Sequence, residues 1–280
     1  MGIENLYELI RDIDRYDAHV MEEKEMILKR ESLETHIELT LRYFEWLWER
    51  KYCSNMLRQF CQRMFGSCSN EATSYLKQMI WGIPLFHDIG KANPAFQNKL
   101  MKNEKVKEDN VLSSIVSSKH SIISAVLYID YFLQLLPKKV TDRTERKHLR
   151  NLIFYHAHVI ARHHSDLNPL GLFWDSLINK EGAAIVDLFL TKGCDFYRQD
   201  FKLSKEKLGE LSKEWEMYAE ELSKDKSIDL YIYERLLYSL LVASDYYATA
   251  EFMSGMEIKD TGDLHEIESW ICLLYTSRCV

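Results

Sequence analysis

Apolar residues recur at three- and four-residue steps along most of this chain, the spacing that lines one face of an α-helix. The strongest run starts at Leu33 and passes through His36, Ile37, Thr40, Leu41, Phe44, Leu47 and Trp48. Ser32, three residues before Thr35, is a weak cap, and Glu34 and Glu38 suit the positive N-terminal end. The same periodicity predicts helices over Ile3–Ile13, Ala72–Ile83, Leu152–Arg162 and Tyr233–Phe252. Another opens at His120 and carries Ile122, Ile123, Val126, Leu127, Tyr131 and Leu135. Gly66–Asn70 and Asn168–Gly171 read as breaks, and Asn93-Pro94 ends or redirects its segment. Met21–Met26 reads as loop or frayed helix, Asn98–Ser118 as a polar loop, and Lys138–Arg150 as a charged connector. No stretch reads convincingly as a strand, and there is no internal repeat. The expected fold class is all-α.

Composition agrees with that pattern. Only 4 Pro and 10 Gly interrupt 280 residues of which 46% are apolar, enough for a sizeable helical core. The formal charge of -7 argues against a protein that coats itself in nucleic acid by bulk electrostatics. It leaves a nuclease open, because a metal supplies local positive charge that a net sum omits. The N-terminus has neither the basic nor the apolar region of a signal peptide, and no apolar run reaches membrane-spanning length. A cytoplasmic protein with no membrane partner is expected. Six cysteines without CxxC pairing read as reduced thiols.

The chemistry centres on His87-Asp88, an imidazole and a carboxylate on neighbouring positions. Such a doublet can converge on a metal where a helix is distorted or ends, and a carboxylate can bridge two cations. Alone, the dipeptide means little. A lone histidine on an apolar face, such as His36, is ordinarily a hydrogen-bonded core residue. His120 opens one amphipathic helix, His163-His164 ends another, and Asp245 interrupts the apolar run of a fourth. A buried carboxylate such as Asp245 needs a compensating partner, which a metal would provide. His156 and His158 read as core packing or as hydrogen-bond partners of ligands. His19, His148 and His265 read as surface residues, and Tyr246 and Tyr247 as packing aromatics. Lysines between Lys99 and Lys107 alternate with acids, as in a solvated loop. Lys138, Lys139, Arg143, Arg146, Lys147 and Arg150 are a candidate DNA-facing patch.

The segment His87-Asp-Ile-Gly-Lys-Ala-Asn-Pro-Ala-Phe-Gln97 resembles the signature of the CRISPR-associated HD nucleases, the nuclease domain of the type I interference helicase–nuclease. General HD phosphohydrolases share its opening but usually lack the Asn-Pro-x-Phe-Gln continuation. Ala243-Ser-Asp245-Tyr-Tyr-Ala-Thr249 is similar to the family's last motif, and the resemblance runs from about His36 to Thr249. It implies a compact helical HD domain with a metal site between its central helices. It further implies a dinuclear centre. His36, His87, Asp88 and Asp245 would hold one ion, and Asp88 would bridge to a second held by His120, His163 and His164. Manganese, iron, cobalt or nickel suits five imidazoles better than magnesium does. Lys91 is implied as a catalytic point charge beside the phosphate, and Ser121 and Ser165, beside ligands, are weaker candidates for contacts to the ligands or to substrate.

The implied activity is cleavage of single-stranded DNA. The implied partners are a helicase domain or subunit and the RNA-guided surveillance complex (Cascade) that exposes the strand. The chain holds no Gly-x-x-x-x-Gly-Lys-[Ser/Thr] loop, so the motor is expected elsewhere. A nucleotide or cyclic-nucleotide phosphohydrolase and a degenerate HD scaffold are the rival readings. Residues 1–262 are expected to form the HD domain and 263–280 a tail. Of that tail, Cys272–Val280 looks like a translated sequencing adapter, so a native protein is expected to continue past Ile271.

Overall fold

The computed structural model describes residues 4–24, 26–107 and 119–259. Its elements are α1 (Glu4–Leu9), a hairpin of β1 (Asp17–Glu23) and β2 (Met26–Ser32), α2 (Leu33–Arg50), α3 (Cys53–Phe65), α4 (Asn70–Phe86) and α5 (Pro94–Lys99). After residue 118 follow α6 (His120–Lys139), α7 (Arg143–Arg162), α8 (Leu170–Asn179), α9 (Glu181–Lys192), α10 (Lys205–Glu221) and α11 (Lys224–Ser254). The fold is helical, as the periodicity predicts.

Three helices make the centre. α6 and α7 form an antiparallel pair, with Tyr128 against His156 midway along it. α4 runs alongside α7 and crosses α6 closely. A Cβ on Gly82 would lie 2.6 Å from the Phe132 ring, so only glycine permits that approach. α2 and α11 pack antiparallel against this layer, with Tyr43 on Tyr247. The termini are set by side chains: Ser32 accepts from Thr35 N (3.1 Å), Ser69 from Ala72 N (3.1 Å) and Asp142 from Glu145 N (2.8 Å).

Three expectations change. The first helix stops at Leu9, because Arg11 N donates to Phe196 O and Arg198 N to Leu9 O, pairing the backbone there with a distant segment. The charged connector shrinks to residues 140–142, since Asp142 caps a helix that already runs through Arg143–Arg162. Residues 17–32, read as lacking strand character, form a hairpin. Its β2 strand exposes the apolar Met26 and Leu28 and buries the charged Glu31, so the apolar alternation of a half-buried strand is missing. Its turn includes Lys24 at φ 49°, where Gly or Asn would have signalled the bend.

Candidate metal centre

α4 and α7 finish, and α6 begins, at the same end of the molecule. Helix C-termini carry partial negative charge, so two of the three ends favour a cation there. His87 follows the last turn of α4 and Asp88 leaves the helix at φ -116°, ψ 5°. In an unbroken helix two successive side chains diverge by about 100°. Ending the helix between them lets both face one point. A short 3₁₀ turn, Ile89–Ala92, follows, and Gly90 in it is obligatory: a Cβ would lie 2.0 Å from the His120 carbonyl oxygen.

Seven residues from five segments meet here. His36 Nε2 lies 3.2 Å from Asp88 Oδ2, 3.1 Å from Asp245 Oδ1 and 3.3 Å from His87 Nε2. On the other side of Asp88, Oδ1 is 3.1 Å from His120 Nε2 and 3.5 Å from His163 Nε2. His164 Nε2 is 3.0 Å from His120 Nε2. The donors fall into two groups, His36/His87/Asp88/Asp245 and Asp88/His120/His163/His164, with the atoms of each within 4.8 Å of one another. Asp88 belongs to both.

Whether these residues fit cations can be judged from their lone pairs. His87 Nδ1 is 2.8 Å from Pro84 O and His163 Nδ1 is 2.6 Å from Ile160 O. A carbonyl only accepts, so each Nδ1 carries a proton and, in the neutral ring, each Nε2 presents a bare lone pair to the centre. Asp88 Oδ1 and His163 Nε2 are buried without a hydrogen-bond partner, and Asp88 Oδ2 meets only the Lys91 ammonium, 2.8 Å away, besides other ligand atoms. Lone pairs facing lone pairs in a buried place require a cation, either protons or metal. The donor set therefore fits divalent metal.

Without metal, protons take that role. Burial disfavours the charged His36 imidazole, but Glu31, Asp245 and Asp88 outweigh it and raise its pKa well above the usual value. His87 is likewise raised, to about 9, because Asp88 and Asp245 overcome the burial penalty. Burial pushes the Asp88 and Asp245 carboxyls up, yet Lys91 and His87 beside the first, and His36 and His87 beside the second, hold both well below the carboxylate range. His120 is lowered by burial. His164 is lowered by burial of its inner edge and then by the adjacent His163, although its outer edge meets solvent.

Lys91 is 2% exposed, and its Nζ sits 2.8 Å from Asp88 Oδ2 and 3.0 Å from His19 Nε2. It faces inward as the counter-ion of Asp88. Sequence reading placed His19 on the surface; the hairpin carries it into the site, across from Glu31. Both were missed because strand pairing at 17–32 was missed.

The family model of Cas3, HD domain, matches residues 21–229. The chain belongs to this Cas3 HD-domain family. It is thus a CRISPR-associated nuclease domain of the HD type. No curated protein and no solved structure matches it.

The segment His87–Gln97, inside the residues matched by the Cas3 HD-domain family, has a physical rationale in the fold. Asn93 accepts from Phe96 N (3.0 Å) and donates to Gly90 O (2.6 Å), and Pro94 starts α5. Phe96 packs edge-on against His120, with centroids 5.0 Å apart. Gln97, fully buried, donates to Asp17 O and Lys91 O (2.8 Å each) and accepts from Asp17 N (3.0 Å) and Asn103 Nδ2 (2.7 Å). The continuation thus ties the His-Asp doublet to α6 and to the hairpin.

Other candidates lie apart. His156 and His158 are buried in the core, the latter between Glu234 and Asn168. His148 is half-buried against Phe65 and Tyr218, and Tyr247 packs on Trp46. Ser165 O accepts from Tyr238 OH (2.8 Å). Arg143, Arg146, Lys147 and Arg150 line a recess of about 500 Å³ with Lys202 and Lys207, at the opposite end of α7 from His163. Four of those six cations already pair with carboxylates, so the recess carries little free charge. No helix among the described residues is long and apolar enough to cross a membrane. Cys53, Cys61, Cys68 and Cys194 are free thiols. His265, Cys272 and Cys279 lie outside the described residues, as does the proposed tail.

Proposed function

We propose that this domain, taken as residues 1–262, is a cytoplasmic metal-dependent nuclease that hydrolyses phosphodiesters of single-stranded DNA. It would work with a helicase that delivers strand exposed by the RNA-guided surveillance complex. The observation that carries the reading is the pair of four-donor groups sharing Asp88. When bound, two divalent transition ions would supply electrophilic activation of the phosphodiester and ease deprotonation of water.

The chain's own residues perform the rest. His36, His87 and Asp245 would hold one ion and His120, His163 and His164 the other, with Asp88 fixing their spacing. Lys91, 2.8 Å from Asp88 Oδ2, keeps Asp88 ionised so that it could serve both donor groups, and would add positive charge to the centre. His164 is exposed, while His120 and Asp245 retain 10% and 12% side-chain exposure and His36, His87 and Asp88 none. Substrate therefore approaches from the His120, His164 and Asp245 side.

The test is cleavage by the purified chain with manganese, using single-stranded DNA, duplex DNA and a panel of nucleotides and cyclic nucleotides. Single strands should be degraded and nucleotides left intact. Asp88→Ala should lower cleavage by more than about a hundredfold, since it removes a ligand from both ions. Nucleotide hydrolysis with inert DNA, or full cleavage by Asp88→Ala, would refute the proposal.

A further inference from the structure

An imidazole that binds metal through Nε2 must place its Nδ1 proton on an acceptor, and that acceptor fixes both tautomer and ring orientation. His87 and His163 use main-chain carbonyls three residues back, Pro84 O and Ile160 O. His36 differs. Its Nδ1 faces a carboxylate, Glu31 Oε2, at 3.3 Å. Glu31 is 2% exposed although it belongs to a largely exposed strand, and its second oxygen has no partner.

Donor counting orients the group. Lys91 Nζ only donates, so His19 Nε2, 3.0 Å away, accepts. His19 Nδ1 then carries the proton and donates to Glu31 Oε2 at 2.7 Å. With His19 on one flank, that oxygen is aimed at the ring of His36 on the other. The three donors His19, Glu31 and His36 are also close enough to surround an ion. With His19 Nε2 taken by the Lys91 ammonium and imidazole protons turned toward Glu31, the carboxylate is left as the single free donor there, too few to hold an ion.

The two halves of the centre are consequently unequal. Around His36 and His87 stand three carboxylates, Asp88, Asp245 and Glu31, whereas the His120, His163 and His164 side has Asp88 alone. Neither His36 Nδ1 nor His120 Nδ1 completes a hydrogen bond, but the former faces a carboxylate oxygen, Glu31 Oε2, at ion-pair distance (3.3 Å). We propose that Glu31 is a positioning residue that holds His36 Nε2 toward the centre and makes the His36/His87/Asp88/Asp245 position the tighter of the two cation sites. The inference rests on the metal-dependent reading above. It adds an order of loading, with the His36 side filled first.

The test is a cobalt(II) titration of the metal-free full chain, followed by calorimetry and by visible absorption of the bound ion. Wild type should load in two steps. Glu31→Gln, which keeps the shape and removes the charge, should weaken the first step by roughly 10- to 100-fold and leave the second unchanged. Glu31→Asp should recover part of the loss. An unchanged first step in Glu31→Gln, or equal weakening of both steps, overturns the inference. A second measurement needs no variant: nitrogen-15 spectra of histidines in the zinc-loaded wild type should show His36 protonated at Nδ1 and coordinated through Nε2. Coordination through Nδ1 overturns the inference. No metal uptake by wild type would sink the centre itself, a result distinct from two-step loading that is indifferent to Glu31.

Discussion

His156 shows how a histidine resembling a candidate ligand is recognised as part of the core. Tyr128 OH donates to Met79 O at 2.9 Å, which leaves its oxygen to accept from His156 Nδ1 at 2.7 Å. The neutral ring then accepts at Nε2 from Tyr233 OH, also 2.7 Å. Burial lowers its pKa to about 3. A depressed histidine pKa means the unfolded chain binds the proton more readily, so this stabilisation is complete above about pH 6.5 and is lost progressively as pH falls toward 3. His156→Gln should lower stability by about 1–3 kcal/mol, because Tyr233 OH loses its acceptor while Tyr128 OH keeps Met79 O. Thermal unfolding followed from pH 7 to pH 4 should also fall less steeply in the variant than in wild type; parallel curves would contradict the assignment. His36, by contrast, has no neutral partner at Nε2, only other ligand atoms. From sequence, both are histidines on apolar helix faces. Only the fold tells which one has its hydrogen bonds satisfied.

The elements that build the site were legible where their apolar periodicity is strong. The α2 run from Leu33, the opening of α6 at His120 and the end of α7 before His163 stand where spacing put them. The hairpin was illegible because its stabilising contacts are cross-strand and polar: Arg30 with Asp17 at 2.6 Å, and His19 with Glu31. Pairing of that kind leaves no one-dimensional period. Gly90 was visible as a letter of the His-Asp-Ile-Gly-Lys segment, but its reason lies in a neighbouring helix. Gly90→Ala must displace the start of α6, since the added carbon overlaps the His120 carbonyl. The expected result is selective loss of the ion on the His120 side, measured as a fall in bound cobalt from two per chain toward one. Full loading of this variant would show that α6 shifts without consequence for the centre.

For the whole molecule, the centre joins α2, the end of α4, α6, the end of α7 and α11 around one carboxylate. Ion binding therefore couples to global stability. At a hundredfold excess over the dissociation constant it should add about 2.7 kcal/mol, which for a chain of this size is roughly 4–5 °C in melting temperature. Differential scanning fluorimetry with manganese, reversed by chelator, measures this; an unchanged midpoint at saturating metal would refute it. The charge distribution belongs to this scale as well. A net charge of -7 coexists with a site whose local cations are a buried lysine and the metal ions it is proposed to hold. Summing charges from the sequence could not have located it.

Lys91 carries a last consequence. A cation tethered to the backbone already sits against Asp88 Oδ2 and is supported from behind by the hairpin. Chelation leaves this permanent ballast in place, so Asp88 is never stranded in a dry interior beside empty space. The emptied protein should stay folded with its ligands in register, and activity should return on adding metal, with no refolding delay.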